Sequence, residues 1–199
     1  MGDRVMGLKL NGSTSGYVEL VAPAVAGTTT LTLPTDSIQP GLVLITSQSF
    51  SAVSTVSVNN CFSTTYDIYK IMLNASNSTA GIDIRMRFSS GGVDDSSSTY
   101  LGQEIYGENA TVAGGRVSGT SSLAGALNSA GLSCYAYDIF SPALSEETQF
   151  IYVGKYGYGG ASAIMGSGNH AVSSPFDGFT LFIGTGTMTG NLKVYGYRN

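Results

Sequence analysis

Hydrophobic and polar residues alternate along most of this chain with the two-residue period of a β-strand, and helical periodicity is nearly absent. The clearest run is Ile82 to Phe88, IDIRMRF. Ile82, Ile84, Met86 and Phe88 share one side of it, and Asp83, Arg85 and Arg87 share the other. That alternation predicts a strand with one dry face and one wet face. Further strands are predicted over Tyr66–Leu73, Tyr100–Tyr106, Ser133–Phe140, Thr148–Gly154, Ala161–Met165, Gly178–Gly184 and Gly190–Tyr197, because Tyr, Phe, Ile and Val suit a pleated, half-buried surface. Turn clusters separate them: SSGGVDDSSS at Ser89–Ser98, GENATVAGGRVSG at Gly107–Gly119 and GYGG at Gly157–Gly160. Ser121–Leu127, SSLAGAL, is too short and too interrupted by Gly125 for a stable helix and reads as a loop. About eight strands from Tyr66 onward predict an all-β fold, an antiparallel β-sandwich of jelly-roll type.

The texture differs ahead of this region. From Gly16 to Val58 the strand candidates, Thr28–Leu33, Leu42–Thr46 and Ala52–Val58, are short and rich in Thr, Ser and Val. Segments that bury little apolar surface alone are stabilised against another chain. The expected division is therefore an attachment or oligomerisation module over residues 1–60 and a sandwich head over residues 61–199.

Composition narrows the function classes. Charged residues make up 11% of the 199-residue chain, hydrophobic ones 42%, and the net charge is −4; low charge with ample hydrophobicity predicts folding rather than disorder. The nine Lys and Arg residues are scattered, which argues against a nucleic-acid partner, since phosphate binding needs clustered cations. Only Arg85 and Arg87 are close, and a solvated strand face is the simplest expectation for them. No apolar run is long enough to span a bilayer as a helix, and the start, MGDRVMGLKL, lacks a signal-peptide core. No membrane insertion and synthesis in a cytoplasm are expected. Cys61 and Cys134 sit in strand-like surroundings with no CxxC or Cys/His cluster, so buried thiols are expected of both, with no metal.

Catalytic signals are thin. The single histidine, His170, lies in GSGNHAVSS, which reads as an exposed loop; no GxSxG elbow accompanies the plentiful Ser residues. Glu104, Glu108 and Asp138 are candidate carboxylates for glycoside hydrolysis, which needs two of them converging. Asp94 and Asp95 offer oxygen ligands without the spaced pattern of a calcium loop. The glycine-rich pieces Gly184–Gly190 and Gly166–His170 lack a phosphate-loop pattern and read as strand connections. No catalytic residue, metal or cofactor is assigned. Tyr152, Tyr156 and Tyr158 share one face of an extended segment, and tyrosine suits recognition of sugars and proteins. Tyr156, Tyr158 and His170 are accordingly the candidate receptor-binding residues.

The stretch Asn11–Pro34, NGSTSGYVELVAPAVAGTTTLTLP, resembles a segment that recurs in tail-fibre and other virion proteins of tailed bacteriophages, including cyanophage-like ones. The closing TMTGNLKVYGYRN, Thr187–Asn199, resembles the final strand of small β-domains that end many such proteins. The resemblance implies a non-enzymatic virion protein of the short tail-fibre type, made in the host cytoplasm, assembled as a homotrimer and attached to other virion proteins. Attachment would fall on Ser13, Thr14, Ser15, Gly16 and Tyr17, and the head would contact a host-surface polysaccharide or protein. A capsid decoration or cement protein is the alternative, and a carbohydrate-active depolymerase is a third reading from another class.

Overall fold

The structure, a computed structural model, describes residues 8–11, 17–20, 41–79, 82–108, 110–123, 131–155 and 162–198. The chain divides into two compact units, Met1–Ile38 and Gln39–Asn199. In the first unit, β1 (Leu8–Asn11) and β2 (Tyr17–Leu20) form an antiparallel pair with Leu8 opposite Leu20 and Asn11 opposite Tyr17. Tyr17 thus opens β2, while Ser13, Thr14, Ser15 and Gly16 lie outside the described residues.

The second unit is an antiparallel β-sandwich. Its strands are β3 (Leu42–Val53), β4 (Thr55–Val58), β5 (Ile68–Asn77), β6 (Ile84–Ser90), β7 (Val93–Asp94), β8 (Tyr100–Glu108), β9 (Thr111–Thr120), β10 (Ser133–Phe140), β11 (Glu147–Lys155), β12 (Ser162–Ser173), β13 (Gly178–Ile183) and β14 (Met188–Tyr197). They build an eight-stranded sheet in the order β3-β14-β5-β10-β11-β12-β8-β9 and a four-stranded sheet in the order β4-β13-β6-β7. The contact division falls at Ile38/Gln39, whereas the sequence places a boundary near residue 60; β3 and β4 belong to the two sheets of the sandwich. Their Thr- and Ser-rich texture reflects edge positions, where one ladder side has no partner strand.

The predicted alternation sorts residues between faces. Along β5, Tyr69, Ile71, Leu73 and Ala75 are buried while Lys70, Met72 and Asn74 point the other way. Along β6, Ile84, Met86 and Phe88 enter the same core, as IDIRMRF requires. Burial of each such side chain stabilises the fold by about 1.5–3 kcal/mol. Phe62 joins the sheets, 5.9 Å from Phe179 and 4.8 Å from Tyr69 between ring centroids. Arg87 is less solvated than expected: its Nε donates to the Ser121 carbonyl at 2.8 Å and its guanidinium lies 4.4 Å from the Phe182 ring centroid.

Several glycines expected to make turns lie inside strands. GENATVAGGRVSG supplies β9, an edge strand whose Gly and Ser residues leave little hydrophobic signal. In β12, Gly166 pairs with Tyr152 and Gly168 with Phe150, and Gly154 of β11 pairs with Tyr135. At Gly166 and Gly154 the partner ring occupies the space a Cβ would need, and at Gly168 the Leu101 carbonyl oxygen intrudes as well. These glycines are seats for aromatic rings on the adjacent strand. Of SSLAGAL, Leu123 bridges Met86 through backbone bonds in both directions and is buried, while residues 124–130 are outside the described set.

Candidate functional site

Outward side chains of the eight-stranded sheet form a continuous apolar band. Strand register places Met72 beside Ala136, Ala136 beside Val153, Val153 beside Met165, and Met165 beside Ile105. The row ends at Gly114 on β9 and, past Lys193 on β14, at Ser47 on β3. Met72 is 47% exposed, Val153 53%, Met165 56% and Ile105 53%. The adjoining row adds exposed Cys134, Val112 and Ala163, and the row on the other side adds exposed Ile151. The band floors a groove of about 1060 Å³, which Lys155 and Lys193 also line. No single strand announces it, because each contributes one or two such residues; only registration across strands makes them contiguous.

A polar pair borders the band. Lys70 Nζ donates to Asp138 Oδ1 at 2.7 Å, and the Tyr197 hydroxyl donates to the same oxygen at 2.8 Å. Burial opposes the Lys70 charge, but the bonds with Asp138 and Tyr197 outweigh it and hold the ammonium pKa above its ordinary value.

The second polar cluster surrounds His170. This residue lies in β12, not in an exposed loop, and its side chain is completely buried among Phe88, Tyr100 and Phe176. The local sequence GSGNH hides this because its glycines face rings rather than turns. Nε2 lies 3.1 Å from Thr99 Oγ1 and 3.5 Å from Asp95 Oδ2. Burial lowers the imidazole pKa, with the Asp95 charge opposing it. Asp95 is itself engaged: Oδ1 accepts the Ser97 N–H at 2.8 Å. Burial works against the carboxylate, but the Ser97 bonds and the facing imidazole hold its pKa below the usual value. A ring with no exposed surface offers no contact to a receptor, so His170 serves the core.

The remaining expected residues separate. Tyr156 and Tyr158 lie outside the described residues, and Tyr152 points inward, donating its hydroxyl to Glu104 Oε2 at 2.8 Å. Burial, with the Glu104 carboxylate second, pushes the Tyr152 pKa far up. Glu104 engages this inward tyrosine, whereas Asp138 engages outward Tyr197 and Lys70. The two carboxylates therefore face opposite sides of the sheet and do not converge on one substrate. Asp94 sits in β7, paired through the backbone with Ser89. Among the described residues no group of three or more His, Cys, Asp or Glu side chains is placed to hold a metal. Both cysteines are free. Cys61 is buried, and burial raises its thiol pKa to about 12; Cys134, expected to be buried, is exposed because its register position is outward on β10.

No protein-family model, curated protein or solved structure matches this chain.

Proposed function

We propose that this protein is a non-enzymatic virion structural protein of the short tail-fibre type, whose sandwich works by surface contact rather than catalysis. The observation that carries the surface-contact reading is the exposed apolar band across the eight-stranded sheet. Contiguous apolar surface of this kind marks interaction sites. Separation of Glu104 and Asp138 to opposite faces favours binding over glycoside hydrolysis. The phage assignment rests on the resemblance of Asn11–Pro34 and Thr187–Asn199 to virion segments. In favour of a jelly-roll type for the head, β3-β14-β5-β10 within the eight-stranded sheet and β4-β13-β6 within the four-stranded sheet join strands distant in sequence as neighbours.

Localisation tests the reading. Antibody labelling of purified particles should place the protein at the tail in a few copies, and alanine at Tyr156 and Tyr158 should lower adsorption to host cells. Shell-wide labelling would replace the fibre with a decoration protein, and absence from particles would end the virion reading altogether.

A further inference from the structure

Water-exposed methionine, isoleucine and valine side chains of β5, β11, β12 and β8, in one row with Ala136 of β10 and Gly114 of β9, call for a cover. We infer that the cover is the same face of a second copy of this chain, the two sheets stacking face to face about a two-fold axis that runs along the strands between β11 and β12. This inference stands independently of the virion assignment.

Size is the first argument. Strands lie about 4.8 Å apart and each residue advances about 3.4 Å, so the band and its flanking rows cover about 30 Å by about 20 Å. That footprint approaches the ~800 Å² per partner of a standard stable interface, with the apolar row at its centre and Lys155, Lys70, Asp138, Gln103 and Arg116 in the flanking rows as a polar rim.

Shape is the second. Read across the sheet, the row runs Met72, Ala136, Val153, Met165, Ile105, Gly114. A two-fold axis between Val153 and Met165 reverses this order in the partner copy. Met72 then meets Gly114, Ile105 meets Ala136, and Val153 meets Met165. Large side chains fall on small ones at both flanks, and each contact occurs twice, as an isologous interface requires. Charge enters this register at three places: Lys193 stands beyond the partner's last strand, Lys155 lies beside the axis opposite the partner copy's Ala163, and Lys70, paired with Asp138 in its own chain, lies opposite the partner copy's Arg116.

Sedimentation equilibrium on the full chain should give a dimer mass at micromolar concentration. Val153→Lys and Met165→Lys should each weaken the dimer at least about tenfold, as central interface positions do, while Val93→Lys, on the other sheet and 72% exposed, should leave it unchanged. A monomer in the unsubstituted protein, or a trimer or dimer indifferent to both lysines, would overturn the inference. A second measurement keeps it testable if a lysine variant does not fold. The axis brings Cys134 of one copy opposite Gly107 of the other, across stacked sheets about 10 Å apart. A Cβ at Gly107 meets nothing nearer than the Thr111 carbonyl oxygen at 3.9 Å. A bis-maleimide of about 10 Å span should therefore yield covalent dimers with Gly107→Cys and few with the unsubstituted chain. Equal yields, or none with Gly107→Cys, would refute the face-to-face register.

Discussion

The imidazole of His170 and the carboxylate of Asp95 face one another at 3.5 Å, the ring wholly buried and the carboxylate partly exposed. Thr99 bridges towards the same ring nitrogen, and Phe88, Tyr100 and Phe176 enclose the rest. A lone histidine in a glycine-rich segment thus serves as a core residue whose Nε2 meets two polar groups, Thr99 and Asp95, at the rim.

This arrangement predicts a pH dependence of stability. Burial lowers the folded-state pKa of His170 below its unfolded value near 6.5, so the unfolded chain binds more protons between the two values. Stability from the neutral ring is complete above pH 6.5 and falls as pH drops towards the folded pKa, by at most about 1.4 kcal/mol per pH unit. Urea midpoints from pH 5 to 8 should show this slope, and His170→Gln should flatten it. Parallel curves for the two proteins would contradict the assignment.

Two buried tyrosine hydroxyls should respond oppositely to removal. The Tyr100 hydroxyl accepts the Phe88 N–H at 2.9 Å and donates to the Asp95 carbonyl at 3.0 Å. Tyr100→Phe should cost about 1–3 kcal/mol. The Tyr137 hydroxyl is buried without a hydrogen-bond partner among the described residues, so Tyr137→Phe should be neutral or stabilising. Denaturant unfolding of the two variants decides, and equal losses would argue against the described geometry.

Glycine seats for aromatic rings should be intolerant of even one methyl group. Gly168→Ala forces a Cβ onto the Leu101 carbonyl and the Phe150 ring, and should destabilise by about 1–3 kcal/mol. Gly41→Ala, with nothing within 4 Å of the added atom, is the control. A Gly168→Ala variant as stable as the control would remove the steric argument.

Thiol labelling should distinguish the cysteines. Cys134 is exposed on the outward face, whereas Cys61 is buried with its pKa raised to about 12, leaving little thiolate to react. One thiol should label in the native protein and two after unfolding, and labelling at Cys134 should slow as protein concentration rises through dimer formation. Rapid native labelling of Cys61 would contradict its burial.

Strand content was legible because period-two alternation over IDIRMRF, YDIYKIML and SCYAYDIF states which residues face the core. β9 and the middle of β12 were not legible, since their glycines carry no side chain to alternate. The place of β3 and β4 was hidden for a related reason: edge strands need less apolar surface, and their partners, β14 and β13 respectively, come from the far end of the chain.

The sequence by itself determined an all-β, weakly charged chain and the inward and outward sets of each well-patterned strand, because those depend only on local periodicity. Tertiary structure decided which strands became neighbours, and with them everything that joins residues distant along the chain. It buried His170 against Phe88, exposed Cys134, turned Glu104 and Asp138 to opposite sides, and set Met72, Ala136, Val153, Met165 and Ile105 side by side. Register across a sheet is a long-range property, fixed by the joint packing of all its strands, and the apolar band exists only at that level.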